Sequence, residues 1–374
     1  MNNKFFNLKN KIDNEIQSRI PEEVYHLNSL QMQSRWLFYN YLNYDYFNQC
    51  DSLKSFFLKK SVKNINKNVS LLAIKNPDFN KLIINSKLKE LENSIINYLY
   101  LFYSYLENRI KSDLKRLTIK QPIEKIPRIK YKEYDHFYSD TIYRIKDNLF
   151  SEKIVQRFYI SGSIATKDYI KGWSDLDGLL ILESKYLNQP KNIIKLKEAV
   201  HGLRFELQKI DKFQLHGLFI LTDIDLKYYS QSFYPFILFQ NSKLLFGDNN
   251  LNFFIRNDEK ERWDNFWYEG VEFFINTKTY ETDLEKKLLM HRIASLPFLF
   301  LQTIGLHIYK KDSFEIIKAF FDKSYLKIFN YNRELMYKFT DKILLSINDS
   351  LKMHNNAKKL VVKMLDYIIQ KYGV

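Results

Sequence analysis

The placement of glycine constrains the fold of this 374-residue chain more than any other feature. Six of its nine glycines lie between positions 162 and 247, and none lies in the first 150 residues. Helices disfavour glycine, whereas tight turns between strands need it. The distribution therefore predicts an α+β protein. A strand-containing middle third would lie between an N-terminal helical region and a C-terminal helical bundle.

The length of the chain favours two or three domains, since a single core rarely grows this large. Apolar residues recur at helical spacing within 80–117, which predicts one or two long helices. Pro122 and Pro127 then break the chain. We predict three domains in order along the chain: a basic helical region at 1–130, an α/β core at 131–250, and a bundle of four to six helices at 251–374.

The middle third alternates between the two kinds of element. Apolar runs rich in β-branched and aromatic residues predict strands at 154–160, 176–182 and 213–221. The spacing of apolar residues predicts helices at 134–149 and 191–208.

Positive charge is concentrated in the first part of the chain. The formal net charge is +15, and residues 1–150 carry 25 basic against 16 acidic side chains. The densest segment, 111–132, holds eight basic and two acidic residues. Such a segment can attract a polyanion such as RNA, or it can simply be a solvated face of a lysine-rich protein.

Cysteine usage and apolar runs indicate the compartment. A single cysteine, Cys50, excludes an internal disulfide framework and a cysteine-rich zinc site. The sequence contains no run of 18 apolar residues, so we predict no membrane span. The N-terminal segment lacks the apolar centre of a secretory signal. We expect a cytoplasmic enzyme or binding protein with no membrane association; its oligomeric state stays open.

The segment that points to chemistry is FYISGSIATKDYIKGWSDLDGLLIL, residues 158–182. A predicted strand runs into Gly162 and Ser163, and Asp175 and Asp177 open the next strand. Alternate strand residues face the same way, so these two carboxylates would project together. Paired carboxylates repel unless a cation lies between them, and Mg²⁺ prefers carboxylate, phosphate and water oxygens. Glycine allows a backbone to approach phosphate closely, and a serine hydroxyl can hold phosphate oxygens.

This segment resembles the nucleotidyltransferases of the DNA polymerase β-like superfamily, in particular small adenylyltransferase-like members with helical accessory domains. The resemblance covers roughly residues 135–250. It implies that Asp175 and Asp177 bind Mg²⁺ or Mn²⁺, and that Gly162 and Ser163 bind a nucleoside triphosphate such as ATP. Lys167, close to the motif, is a further candidate for neutralising phosphates.

Members of that superfamily usually present a third carboxylate beside the Asp-x-Asp strand. The predicted strand 213–221 has no acid at either set of same-face positions, and His216 occupies the favoured site. A neutral imidazole can accept a proton or ligate a metal. Asp211 would replace it if the register differs.

The sequence thus predicts a nucleotidyltransferase that moves a nucleoside monophosphate to a hydroxyl and releases pyrophosphate. The acceptor is RNA, a protein, a nucleotide or a small molecule, with RNA favoured slightly by the basic segment 111–132. The alternative is a degenerate member of the same fold that binds NTP, RNA or a protein partner without turnover.

Overall fold

The computed structural model describes most of the chain. The described residues are 2–43, 51–85, 90–123, 125–134, 136–213, 217–275, 279–338 and 345–373. They form a mostly helical α+β protein with one four-stranded and one two-stranded sheet.

Long helices make up the first hundred residues. They are α1 (Asn2–Ser18), α2 (Glu22–Leu42), α3 (Asp51–Lys75) and α4 (Leu91–Ser112). The helix predicted from position 80 begins later, because a 3-10 turn opened by Pro77 extends to Leu82.

Six strands follow in two sheets. They are β1 (Thr118–Pro122), β2 (Val155–Ser161), β3 (Asp177–Leu182), β4 (Phe219–Thr222), β5 (Lys243–Phe246) and β6 (Asn252–Arg256). The larger sheet has the order β4-β3-β2-β5: β2 runs antiparallel to β3 and β5, and β3 runs parallel to β4. β1 pairs antiparallel with β6, so each flanking region contributes one strand.

Short helices connect the strands. They are α5 (His136–Phe150), α6 (Gly162–Thr166), α7 (Pro190–Gly202), α8 (Arg204–Ile210), α9 (Asp223–Lys227) and α10 (Phe236–Gln240). The prediction of a single helix at 191–208 is wrong in one respect, because two helices cover this segment. The chain leaves the first helix at Gly202, the residue with the weakest helix propensity in that segment, and resumes as α8.

The last third of the chain is a helical bundle. Its helices are α11 (Glu259–Asn265), α12 (Glu272–Ile275), α13 (Asp283–Thr303), α14 (Lys310–Ile316), α15 (Lys323–Tyr337) and α16 (Ile347–Tyr372). A π-helical turn at Phe266–Val271 joins α11 to α12. α1 packs with this bundle, since Ile12 and Ile16 belong to its core.

The larger sheet is buried on both faces. Phe158, Ile160 and Leu180 point into a core shared with α2, α4 and α5, whereas Tyr159 and Leu179 point into a second core. This alternation follows from the two-residue period of a strand. The three hydrophobic cores combine residues from different thirds of the chain, and the division at 130 and 250 stays a prediction.

The strand predicted at 213–221 is shorter than expected. β4 covers only Phe219–Thr222, and residues 214–216 lie outside the described residues. Asn43, at the end of α2, accepts from the Leu218 amide at 3.2 Å and donates to the Leu218 carbonyl at 3.1 Å. A side chain thus takes the hydrogen bonds that a longer strand would use.

No helix in the described ranges is both long and apolar enough to cross a bilayer.

Candidate functional site

A sharp bend joins β2 to α6. Gly162 has a φ of +65°, and Lys167 ends the short helix with a φ of +64°. The Lys167 amide donates to the Ser163 carbonyl, so the chain turns back between two left-handed residues. Ser163 is half-buried on this turn. The Gly-Ser turn lies at the end of a strand, as the sequence predicts.

Asp177 lies against this bend. It opens β3 and pairs with Ser161 across the antiparallel ladder. A Cβ atom placed on Gly162 would overlap Oδ2 of Asp177 and would lie 3.0 Å from its Cγ. The carboxylate therefore occupies space beside the backbone that only glycine leaves open.

Asp175 lies two residues before the strand and is 8% exposed. Leu176, between the two aspartates, is fully buried in the core beneath the sheet. Asp175 and Leu176 are both buried and both precede β3, so strand alternation does not fix their relative directions. The neighbouring pair of carboxylates stays a prediction.

One ammonium group from the bundle lies within electrostatic range of both aspartates. The pKa of Lys310, at the start of α14, is lowered by burial, and Asp175 and Asp177 both oppose that shift. Arg292 of α13 adds to the lowering, so a second cation lies nearby. Lys310 as a whole residue is half-buried.

Contacts on either side of Lys310 hold α14 against the bend. The Tyr309 hydroxyl lies 3.4 Å from Oγ1 of Thr166, in the last turn of α6. The Lys311 amine lies 3.2 Å from the carboxylate of Asp168. The bundle therefore closes one side of the site.

A buried ion pair lies beside Asp175. The Lys287 amine, from α13, donates to Asp211 at 2.5 Å and to the Trp173 carbonyl at 2.8 Å. Burial raises the pKa of Asp211, Lys287 opposes that rise, and Asp175 adds to it. Asp211, the sequence-based substitute for a third acid, is thus already engaged by a lysine.

Two candidates from the sequence remain, Lys167 and His216. Lys167 is 43% exposed and forms an ion pair with Glu133 at 2.6 Å. His216, the predicted third catalytic residue, lies outside the described residues.

The two aspartates supply hard oxygen donors, which fit Mg²⁺ or Mn²⁺ when phosphate and water complete the shell. Within the described part of the chain, no group of three or more His, Cys, Asp or Glu side chains is placed to hold a metal ion.

Comparisons with protein-family models, with curated proteins and with solved structures found no match to this chain. The fold of the described residues defines it as a mostly helical α+β protein with a small mixed four-stranded sheet and a two-stranded sheet.

Sequence reasoning alone finds one half of this site. The motif residues lie within twenty positions of one another, so their spacing is visible in the sequence. Lys287 was missed because its contact with Asp211 joins positions 76 residues apart. For Lys310, the only sequence signal is a pair of lysines following an apolar helix.

Proposed function

We propose that this protein is a divalent-metal-dependent nucleotidyltransferase with the catalytic core of the polymerase β-like superfamily. It transfers a nucleoside monophosphate from an NTP to an acceptor hydroxyl. The hydroxyl oxygen forms a bond to the α-phosphorus, the bond from that phosphorus to the bridging oxygen breaks, and pyrophosphate leaves with the proton released to solvent. The observation that carries the proposal is the Asp177 carboxylate lying against Gly162; the charges of Asp175 and Asp177, which both act on Lys310, support it.

Each residue has a role that follows from its position. Asp175 and Asp177 would hold Mg²⁺ or Mn²⁺, which when bound supplies positive charge to the phosphates and to the attacking oxygen. Gly162 leaves room for the Asp177 carboxylate beside the bend, and the Ser163 hydroxyl would donate to a phosphate oxygen. Lys310 neutralises charge on the β- and γ-phosphates from the side of the bundle.

The first experiment follows the label. The purified protein is incubated with α-³²P-labelled NTPs, MgCl₂ or MnCl₂, and total RNA or cell lysate. We expect label on an acceptor, no label from γ-³²P-NTP, and loss of transfer in Asp175→Asn and Asp177→Asn. Asp366→Asn, on the exposed face of α16, is the matched control and should retain activity. Transfer from γ-labelled NTP, or full activity in both site variants, would refute the proposal.

Lys310 allows a second test with its neighbour as control. Lys310→Ala should raise the KM for NTP at least tenfold, because a half-buried amine that faces the phosphates is removed. Lys311→Ala should change KM less than twofold, since Lys311 is 69% exposed and paired with Asp168. Equal effects of the two variants would contradict the role given to Lys310.

The degenerate alternative has one observation in its favour. Asp211, a further carboxylate that interacts with Asp175, forms a buried ion pair with Lys287. Under this alternative, Mg-ATP binds in calorimetry, whereas no acceptor in RNA or lysate becomes labelled.

A further inference from the structure

All eight basic residues of the segment 111–132 are exposed. We call them the cationic ridge: Lys111, Lys115, Arg116, Lys120, Lys125, Arg128, Lys130 and Lys132. The acid within the described part of this segment, Asp113, is paired with Arg109 at 2.7 Å. The ridge therefore presents mainly positive charge to solvent.

The cationic ridge follows an ordered path to the paired aspartates. It begins in the last turn of α4, continues along β1, and then runs beside β5, where the Leu244 amide donates to the Pro127 carbonyl at 2.9 Å. Glu133 comes directly after the ridge and binds Lys167, which is four residues beyond Ser163. The ridge thus ends next to the bend.

A groove lies in the middle of this path. Its volume is about 430 Å³, and it is lined by Lys125, Ile126, Pro127, Arg128, Asn249 and Asn250. Two cations and two amides around an apolar floor suit a phosphate and a base together.

Exposed aromatic rings lie beside the end of the ridge. Tyr143 and Phe150, on one face of α5, are 52% and 66% exposed. The Lys146 amine lies 5.8 Å and 6.0 Å from their ring centroids. The ring of Tyr131, within the ridge segment, lies 5.8 Å from that of Tyr143, so the rings and the ridge form one continuous surface.

We propose that the cationic ridge and these α5 aromatics bind single-stranded nucleic acid. The ridge contacts the phosphates, and Tyr143 and Phe150 stack against bases. A track of cations interleaved with exposed rings is how proteins hold single strands without reading sequence. Binding stands on this surface alone, whereas placing the 3′-terminal hydroxyl at Asp175 and Asp177 rests on the proposed function.

Binding is measured by fluorescence anisotropy with labelled 12-nucleotide single-stranded RNA and DNA and with duplex RNA, without NTP or metal, between 50 and 200 mM KCl. We expect either single strand to bind at least tenfold more tightly than the duplex. The RNA and DNA arms show which sugar is preferred. Affinity should fall with salt with a logarithmic slope of about −0.7 per phosphate contact.

Two double variants separate charge from stacking. Lys120→Glu with Lys125→Glu should weaken single-strand binding at least tenfold and flatten the salt slope. Tyr143→Ala with Phe150→Ala should weaken it by about thirtyfold or more with the slope unchanged, as expected when stacking on two bases is lost. Lys327→Glu with Lys359→Glu, exposed on α15 and α16, changes net charge equally and should alter affinity less than twofold. Thermal unfolding confirms that each variant is folded.

The proposal is wrong if the control pair weakens binding as much as the ridge pair, if the aromatic pair has no effect, or if the duplex binds as tightly as the single strands. Asp175→Asn with Asp177→Asn should bind the single strand normally. Tight binding without transfer leaves this surface intact and counts against the transferase. Transfer to another acceptor without single-strand binding supports the transferase and refutes the binding surface.

Discussion

The close approach of Gly162 to Asp177 leads to a quantitative prediction. Gly162→Ala places a methyl group on a backbone with φ of +65°, where it would overlap Oδ2 of Asp177. Two separate costs follow. The left-handed backbone with a Cβ costs about 1–2 kcal/mol. Rotating the carboxylate out of its preferred position adds about 0.5–1.5 kcal/mol.

The free energy of unfolding should therefore fall by roughly 1.5–3.5 kcal/mol, the sum of these two costs. A double-mutant cycle separates them. In an Asp177→Ala background the carboxylate is gone, and Gly162→Ala should cost only the backbone part of about 1–2 kcal/mol. The coupling between the two sites should then be about 0.5–1.5 kcal/mol.

Urea titrations followed by circular dichroism give these energies. Gly305→Ala is the matched control, because Gly305 has a φ of +96° and no heavy atom within 4 Å of its Cβ position. It reports the backbone cost without a collision. In the transfer assay, Gly162→Ala should lower activity at least tenfold, since Asp177 is displaced. A coupling energy near zero would show that the Asp177 carboxylate does not collide with a methyl group at position 162, and would refute this prediction.

Three further predictions concern stability. Lys287→Met should lower the free energy of unfolding in urea by about 3–5 kcal/mol, because Asp211 stays buried without its cation. Lys287→Met combined with Asp211→Leu should recover most of that loss. A double variant no more stable than the single variant would contradict this prediction. Asn43→Ala should cost about 1–3 kcal/mol, because the Leu218 amide and carbonyl lose their partner, and a cost under about 0.5 kcal/mol would show that water replaces it. A hydrogen bond from Lys197 lowers the pKa of Glu92, so Glu92→Gln should be less stable than wild type at pH 7. The side chain is 53% exposed and solvent screens the pair, which limits the difference to below about 1 kcal/mol. The difference should shrink as pH falls from the unfolded-chain value of about 4.3 and vanish below the lower folded pKa, and a difference that does not shrink below about pH 4.3 would contradict the assignment.

Local patterns predicted much of the secondary structure. The strands predicted at 154–160 and 176–182 differ by one residue from β2 and β3, because each is a short apolar run bounded by turn residues. The helix predicted at 134–149 is confirmed as α5 with similar limits. β4 begins later than predicted. The Asn43 side chain, which is far away in the sequence, bonds the Leu218 amide and carbonyl in place of a neighbouring strand.

The candidate site was visible in the sequence only where its residues are close along the chain. Gly162, Ser163, Asp175 and Asp177 follow from one motif and its spacing, and their nucleotide and metal roles stay predictions. Lys310 and Lys287 come from the bundle, and no periodicity links either to the motif.

The order of residues by itself determined β2, β3 and the glycine bend, because these depend on neighbours within a few positions and on the two-residue period of a strand. Only the tertiary structure decided that β1, β5 and β6 complete the sheets, that Lys287 pairs with Asp211, and that the cationic ridge ends beside the bend. Those outcomes depend on how apolar faces pack, and packing joins residues whose separation along the chain carries no signal.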